Sequence, residues 1–562
     1  MMKKLMVLFL ALGLVIIHSP GLIKTGEAAE KGTVTAKVDK LFEEWNKPGS
    51  PGASLAVAKN GQIIYKKGYG YAHLEYDIPI TPSTIFHVAS VSKQFTAFAV
   101  AMLVDQGMLS LDDPIQKYVS EVPDFDKTTT LRQLIHHTSG IRDQWELLAM
   151  AGWRLDDVIT TEHILNMVKH QKDLNFNPGD EHLYSNMGYT LLAVAVERVT
   201  GQTFTDWTRE NMFTPLGMTN THFHDDHEMI VKNRAYSYAP VEEGGFKKSV
   251  LSYANAGATS LFTTVEDMAK WAHNFENPRI GGRAVIEQMH EVGVLNNGEK
   301  LDYAFGLVIQ DHKGLKTVSH SGGDAGFRSH IVMFPDQKLS ISVLSNLGSF
   351  NPGRMALKVA DIYLADLIEA DDEKDQERKQ ISIDPAIFDR YEGKYALDNG
   401  MVINITRKDN KLMGEAVGQA KFELFPESET SFFLKIIDAR ITFHPEKEGK
   451  ATGFTLHMGG QGIEGKRVES PELGPAQLAE YTGKYYSEEL GTTYTIVIEG
   501  NNLVARHRRH GDNELVASDT DQFNGGQWWL SLLKFMRGND KKITGFLLSG
   551  GRVKNLRFEK VN

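Results

Sequence analysis

The chain has 562 residues, of which 41% are hydrophobic and 24% are charged, and it contains no cysteine. This length exceeds what one hydrophobic core serves, so several domains are expected, and the composition excludes a disordered chain. Without cysteine there is no disulfide, no thiol nucleophile and no thiolate metal site. A formal net charge of −11 argues against binding nucleic acid through its phosphates.

The first residues are typical of a secretory signal. Two lysines precede an apolar stretch, Leu5–Ile17, and the small residues Gly26 and Ala28 follow it. We predict a signal peptide at residues 1–28 and therefore a protein that is secreted or lies at the exterior of the cell envelope. The apolar stretch is short for a membrane span, and no later stretch approaches about 18 consecutive apolar residues.

Strand and helix patterns are mixed between residues 32 and 370. The segment Ala53–Gly70 predicts a β-hairpin, because two runs rich in Val, Ile and Tyr flank an Asn-Gly turn. Helical patterns dominate up to residue 275, β-like runs return after it, and the helical spacing of Met355–Ala370 closes the region. We predict one α+β domain over residues 32–370.

The remaining sequence repeats itself after a charged linker, which we place at residues 371–385. YEGKYALDNG from Tyr391 is similar to YTGKYYSEEL from Tyr481, an offset of 90 residues. Both copies contain short alternating runs separated by Gly, Asn and Asp turns, which predicts two small all-β, barrel-like modules. These modules are predicted at residues 386–468 and 474–562.

Ser90 and Lys93 stand at the start of an apolar helical run. Positions i and i+3 lie on one face of a helix, about 5–6 Å apart at Cβ, so the two side chains can touch. A serine hydroxyl needs a base, and burial can lower the pKa of a lysine far enough to leave a neutral amine. The spacing alone is a weak signal, since Ser531 and Lys534 repeat it in the second β module.

Tyr184 and Asn186 directly precede an amphipathic helical pattern. A tyrosine beside a lysine can pass protons to a leaving group, and an asparagine amide can orient a substrate carbonyl. Tyr253 and Asn255 have the same spacing and compete for this role. The Pro-Gly turn before Tyr184 and the helix after it favour the first pair.

His320, Gly322 and Gly323 lie on a predicted strand. Glycines let a substrate backbone lie against a strand, and one backbone N–H can complete an oxyanion hole. Alone, this segment would be interpreted as a Gly-rich turn.

Taken in order, Ser90-x-x-Lys93, Tyr184-x-Asn186 and His320-x-Gly322 resemble the motifs of the serine β-lactamase and penicillin-binding-protein superfamily. The most similar branch contains class C β-lactamases, D-aminopeptidases and related esterases. The resemblance covers about residues 35 to 365. It implies an antiparallel sheet flanked by helices, a mostly helical subdomain, and a site between them. Two barrels after such a domain resemble the three-domain D-aminopeptidase arrangement.

The resemblance also implies a role for each motif residue. Ser90 would be the acylated nucleophile, and Lys93 and Tyr184 would share the general-base and general-acid roles. Asn186 would bind the amide or carbonyl of the substrate. The backbone N–H groups of Ser90 and Gly323 would form the oxyanion hole.

The sequence departs from the family pattern at His320. β-Lactamases and transpeptidases usually have Lys-Thr-Gly there, and that lysine holds the carboxylate of the substrate. A neutral imidazole does this far less well. His320-Ser321-Gly322 therefore favours a peptidase or esterase that acts on substrates without that carboxylate.

We predict a secreted serine hydrolase, namely a peptidase or amidase on short peptides, D-amino-acid peptides included. An esterase or β-lactamase-type amidohydrolase, and a penicillin-binding-like module with little turnover, stay open as alternatives. No cofactor is expected. No metal is expected either, because the histidine-rich stretch Thr221–Glu228 lacks the ligand spacing of a zinc site. The expected partner is a small peptide, amide or ester, while cell-wall fragments and a homo-oligomer stay open.

Overall fold

The computed structural model describes residues 22–241, 243–368, 380–397, 402–416, 421–434, 439–446, 449–458, 461–469, 471 and 473–561. The apolar stretch of the predicted signal peptide and residues 371–379 of the predicted linker lie outside the described residues. Among the helices in these ranges, none combines the length and the apolarity that crossing a membrane requires.

Six antiparallel strands form the central sheet of the first domain. The hairpin predicted at Ala53–Gly70 is confirmed, and Asn60 and Gly61 at its turn have φ of 51° and 70°, as a type I′ turn requires. In spatial order the strands are Val308–His312, Leu315–Asp324, Phe327–Phe334, Leu339–Ser345, Ala53–Lys59 and Gln62–Tyr69.

Helices cover both faces of this sheet. Leu22–Leu41 and Pro352–Tyr363 pack on one face and share a buried apolar cluster with it, while Val265–Glu276 packs on the other. The helix predicted at Met355–Ala370 is thus wrong in its bounds: Asn351 caps it earlier, and the chain leaves the helical conformation at Leu364.

The other helices build a mostly helical subdomain beside the sheet and short strands join the two parts. The helices are Ser92–Asp105, Leu131–Ile135, Gln144–Met150, Thr161–Lys169, Asn186–Thr200, Phe204–Thr208, Thr214–Leu216 and Gly282–Met289, with a π-helical turn at Arg209–Phe213 and 3-10 turns at Ala89–Val91 and Ile115–Lys117. The short strands are Tyr71–His73, Ile78–Pro79, Phe86–His87, Ile159–Thr160, His222–Phe223, Tyr238–Pro240, Phe246–Lys248, Tyr253–Ala254 and Leu261–Thr263.

Two closed, eight-stranded antiparallel barrels follow, so the prediction of two all-β modules is confirmed. A 3-10 turn, Pro385–Arg390, precedes the first barrel and a helix, Pro475–Glu480, precedes the second. The strands of the first barrel are Gly393–Leu397, Val402–Lys408, Lys411–Ala416, Phe422–Pro426, Ser431–Phe433, Ala439–Pro445, Ala451–Met458 and Gln461–Val468. Those of the second are Gly483–Ser487, Thr492–Glu499, Asn502–Arg506, Asn513–Asp519, Gln522–Gly525, Leu532–Arg537, Ile543–Ser549 and Leu556–Val561.

Equivalent hydrogen bonds mark the repeat in space. The Tyr395 hydroxyl donates to the Tyr391 carbonyl at 2.8 Å, and the Tyr485 hydroxyl donates to the Tyr481 carbonyl at 2.7 Å. The tyrosines that revealed the repeat in the sequence thus form the same hydrogen bond at the start of each barrel.

The second barrel is docked on the helical subdomain. Its core belongs to the same buried apolar cluster as the helices, whereas the first barrel has a cluster of its own. Arg142 Nη1 lies 2.6 Å from Glu489 Oε2, and the side chains are only 2% and 7% exposed. The Tyr494 hydroxyl also donates to the Met150 carbonyl at 3.0 Å. One wall of the first domain is therefore in contact with the second barrel.

Candidate active site

Ser90 lies in the 3-10 turn that leads into the helix Ser92–Asp105. Ala89, the residue before it, has a φ of 47°, a conformation that strains a residue with a Cβ. On the neighbouring strand, a Cβ at Gly322 would lie 2.2 Å from the Val88 carbonyl oxygen and 3.0 Å from the Ser90 nitrogen. A glycine is therefore required there so that the strand can approach the serine turn.

The Lys93 ammonium group meets three oxygen atoms at the buried end of its side chain. Its Nζ lies 3.2 Å from Ser90 Oγ, 2.7 Å from Asn186 Oδ1 and 2.7 Å from the Ala258 carbonyl oxygen. Two of these oxygens can only accept a hydrogen bond, whereas a serine hydroxyl can also donate. In its neutral form, Lys93 therefore gives both N–H groups to Asn186 and Ala258 and turns its lone pair to the Ser90 hydroxyl.

The surroundings bring the pKa of Lys93 close to neutrality. Complete burial lowers it to about 7, while the carboxylates of Asp324 and Asp143 raise it and the Arg552 guanidinium lowers it. Burial is the larger effect, because it disfavours the charged form of an amine. A substantial fraction of Lys93 is therefore uncharged at pH 7 and can accept a proton.

Tyr184 packs beside this lysine. Lys93 Nζ lies 4.8 Å from the centre of the Tyr184 ring, and the ring of His137 lies 4.1 Å away from it on centroids. Burial raises the pKa of Tyr184, and the neighbouring Ser90 hydroxyl offsets part of the rise. No hydrogen bond of ordinary geometry joins its hydroxyl to another described group. Tyr184 is thus a neutral phenol with a proton to give.

Asp143 fixes the amide of Asn186. Its Oδ2 accepts hydrogen bonds from the Asn186 backbone N–H and from Asn186 Nδ2, both at 2.7 Å. A carboxylate only accepts, so the amide nitrogen must face Asp143 and the amide oxygen must face Lys93. No sequence motif indicated Asp143, which lies 43 positions before Asn186.

Replacing Asp143 with asparagine is expected to lower kcat by about 10- to 100-fold with a smaller change in KM, because the Asn186 amide can then turn. The acid limb of the pH–rate profile is expected to move to lower pH, since the Asp143 charge raises the pKa of Lys93. Steady-state kinetics between pH 5 and 9 measures both effects. An unchanged profile would mean that Asp143 does not act through Lys93.

His320 is held as a neutral imidazole. Its Nδ1 donates to the Ser321 carbonyl at 2.6 Å, so Nε2 carries the lone pair and faces the Tyr303 hydroxyl at 3.1 Å. Burial, together with the nearby Lys93, lowers the pKa of His320 to about 3. His320 therefore brings no positive charge to the site.

Ser90, Tyr184, Asn186 and His320 line one open cavity of about 610 Å³ at the junction of the sheet, the helical subdomain and the second barrel, and Lys93 lies behind Ser90. Ser90, Tyr184 and Asn186 contribute from the helical side, and the strand Leu315–Asp324 forms the opposite wall. Arg552, in the loop between the last two strands of the second barrel, also reaches the cavity. The structure thus gathers all seven candidate residues in one place: Ser90, Lys93, Tyr184, Asn186, His320, Gly322 and Gly323.

The competing motifs do not contribute to the hydrogen bonds around Lys93. Tyr253 stacks on Trp145 with ring centres 4.5 Å apart, and the Asn255 amide is buried without a hydrogen bond among the described groups. In the histidine-rich stretch, His222 and His224 pack against the Phe262 ring. Within the described ranges, no three His, Asp or Glu side chains are grouped so that they could hold a metal ion.

Two protein families match parts of the chain. The Beta-lactamase family matches residues 38–365, and a domain of unknown function (DUF3471) matches residues 377–467, around the first barrel. Penicillin-binding protein 4* of Bacillus subtilis (strain 168) is 29% identical over 445 residues, which are 76% of this chain and 98% of that protein. D-aminopeptidase of Gluconobacter oxydans (strain 621H) is 26% identical over 300 residues, 53% of this chain and 56% of that protein.

Among solved structures, the octameric penicillin-binding protein homologue from Pyrococcus abyssi has a similar fold. The TM-score is 0.56 at 23% sequence identity, covering 85% of this chain and 98% of that one. The chain belongs to the Beta-lactamase family, and it is a serine hydrolase of the β-lactamase and penicillin-binding-protein type.

Proposed function

We propose that this chain hydrolyses short peptides or amides, D-amino-acid peptides included, through an ester formed on Ser90. The observation that carries the proposal is the position of Lys93, a buried amine 3.2 Å from Ser90 Oγ that can be uncharged near pH 7. A buried neutral amine at this distance is a general base for a serine hydroxyl.

In the first step, Lys93 takes the proton of the Ser90 hydroxyl as Oγ bonds to the substrate carbonyl carbon. The carbonyl oxygen becomes an oxyanion, which the backbone N–H groups of Ser90 and Gly323 stabilise. The Asn186 amide oxygen accepts a hydrogen bond from Lys93 and its amide nitrogen donates one to Asp143, so Asn186 holds the base in position.

In the second step, the carbon–nitrogen bond breaks and the leaving amine takes a proton. Tyr184 donates that proton and recovers one from the Lys93 ammonium, which restores the neutral base. Water then adds to the carbonyl carbon of the ester and gives a proton to the basic group. The bond between that carbon and Ser90 Oγ breaks as Oγ recovers a proton, which releases the acid and the free serine.

The peptidase assignment is supported by the D-aminopeptidase relative. An esterase, a β-lactamase-type amidohydrolase and a penicillin-binding module with little turnover use the same ester and are the alternatives. Export through the leader at residues 1–28 and self-association stay predictions.

The test is a substrate panel of D- and L-amino-acid amides, p-nitrophenyl esters and a chromogenic cephalosporin, run on the wild-type protein and on Ser90→Ala. We expect turnover of D-amino-acid amides and a fall of about 10³-fold or more in Ser90→Ala. Ser531→Ala is the matched control, because Ser531 has the same spacing to a lysine in the second barrel, and it should retain full activity.

Turnover of esters alone would replace the peptidase with an esterase, and cephalosporin turnover alone would indicate a β-lactamase. A stable adduct on Ser90 without turnover would support the penicillin-binding module. Equal activity in Ser90→Ala would overturn the acyl-enzyme itself.

A further inference from the structure

The loop between the last two strands of the second barrel is fixed against the catalytic domain by its backbone. The Arg552 N–H donates to Glu146 Oε2 at 2.6 Å, and the Arg552 carbonyl accepts from Asn175 Nδ2 at 2.9 Å. A Cβ at Gly550 would lie 2.8 Å from Glu146 Oε2, so the loop fits tightly. Arg552 is therefore presented to the cavity at a defined position.

The side chain of Arg552, in contrast, keeps its hydrogen-bond donors available. Its guanidinium lies 4.9 Å from the centre of the Tyr184 ring, and its nearest carboxylate oxygen, Asp143 Oδ2, is 4.0 Å away, beyond hydrogen-bond distance. Among the described residues, no hydrogen bond from this guanidinium is formed. The side chain is 43% exposed, so it can meet a bound molecule.

Arg552 is also the one permanently positive side chain among the described residues that line the cavity. The lining histidines are held neutral by burial, which lowers the pKa of His320 to about 3 and that of His330 to about 4. Arg552 Nη1 forms a long ion pair with Asp143 Oδ2 at 4.0 Å, but no hydrogen bond joins them, and Oδ2 accepts its hydrogen bonds from the Asn186 amide and backbone. An arginine whose N–H groups are not hydrogen-bonded, in a concave site, can bind a carboxylate through two parallel hydrogen bonds.

A second cavity of about 420 Å³ continues from the first past Arg552. Both cavities share Trp145, Asp324 and Arg552, and Trp528 of the second barrel lines the second one. Trp528 is 37% exposed, whereas its neighbour Trp529 is buried in the barrel. The second barrel thus contributes an arginine and an aromatic surface to the substrate cleft.

We propose that Arg552 binds a carboxylate of the substrate, so that the second barrel supplies the cation that the His320 strand lacks. This inference rests on the proposed hydrolase function and names its substrate class: an acyl compound that carries a carboxylate. It revises the expectation, drawn from His320 alone, that the substrate has no such group.

The test uses pairs of esters that differ only in charge. One pair is mono-p-nitrophenyl glutarate and its methyl ester, with the carboxylate on the acyl side. The other is 3-carboxy-4-nitrophenyl acetate and its methyl ester, with the carboxylate on the leaving group. Each is measured on the wild-type protein, Arg552→Gln, Arg552→Lys and Lys554→Gln. Measurement at pH 9 keeps Lys93 neutral in every variant.

We expect the wild-type protein to prefer the anionic member of at least one pair. In Arg552→Gln the ratio of kcat/KM for the anionic ester to kcat/KM for its methyl ester should fall by about 10- to 100-fold. Arg552→Lys should retain part of this preference for the anionic ester. Lys554→Gln removes a charge from the same loop, where Lys554 pairs with Glu181 at the surface, and should leave the ratio unchanged. The pair that responds identifies the side of the substrate on which the carboxylate lies.

Binding to the Ser90→Ala protein provides a readout that does not need turnover. For a carboxylate on the acyl side, calorimetry with glutaranilic acid and its methyl ester should show a preference for the acid that Arg552→Gln removes; for one on the leaving group, 5-acetamido-2-nitrobenzoic acid and its methyl ester should show it. Equal affinity for the acid and its methyl ester in both cases, together with unchanged ratios in both ester pairs, would overturn the carboxylate site. Ester hydrolysis that does not depend on Ser90 would instead overturn the proposed function, and the calorimetry would still decide the role of Arg552.

Discussion

Replacing Lys93 with methionine is expected to lower kcat/KM by about 10³-fold or more, because the Ser90 hydroxyl then has no base within reach. Methionine retains the length of the side chain and the burial of its stem, so the packing of the helix changes little. Hydrolysis of a p-nitrophenyl ester measures the effect. Lys534→Met is the matched control, since Lys534 has the same spacing to Ser531 on an exposed strand position of the second barrel.

The same lysine should set the pH dependence of the wild-type enzyme. Lys93 acts in its uncharged form, so kcat/KM is expected to rise with pH and to level off above a midpoint near 7, the pKa to which burial lowers this amine. Replacing Arg552 removes a positive charge and should move the midpoint to higher pH, whereas Asp143→Asn should move it to lower pH. A profile that is flat from pH 5 to 9 would contradict the assignment of Lys93 as the base.

Replacing Glu489 with leucine is expected to lower the free energy of unfolding by about 3–5 kcal/mol, since it leaves the Arg142 guanidinium buried without its partner. Arg142 Nη1 lies 2.6 Å from Glu489 Oε2, and Glu489 also accepts a hydrogen bond from the Lys172 backbone N–H at 3.1 Å. Urea unfolding of the full-length protein measures the change.

Glu488→Leu is the control for this experiment. Glu488 pairs with Lys172 at the surface, with both side chains more than half exposed, and its loss should cost no more than about 1 kcal/mol. The double variant Arg142→Met/Glu489→Leu should recover part of the stability, because no buried charge is left unpaired. Equal losses for Glu488→Leu and Glu489→Leu would contradict the docking of the second barrel through this ion pair.

Much of the fold was predictable because its signals are local. The Asn60-Gly61 turn determines the first hairpin through its own backbone preference. The similar segments that begin at Tyr391 and Tyr481 indicate the repeated barrel. The end of the helix after Pro352 was not predictable from apolar spacing, because the spacing continues beyond Leu364 while the backbone does not.

The site residues also differ in whether a local sequence signal marks them. Ser90 and Lys93 are adjacent in the sequence and carry a recognisable spacing, whereas Asp143 acts only through its contact with Asn186. Arg552 lies 462 positions after Ser90, in a loop whose neighbours depend on how the second barrel docks. No local pattern encodes that docking, so neither Arg552 nor the cavity it lines could be inferred from sequence spacing.

The formation of a covalent bond to Ser90 is the central claim, and a labelling experiment tests it most directly. The protein is treated with a fluorophosphonate at several pH values, and the modified peptide is identified by mass spectrometry. A single label on Ser90, formed faster as the pH rises through about 7 and formed slowly in Lys93→Met, is the predicted result. A label on another residue, or a rate on Ser90 that is the same with and without Lys93, would contradict it.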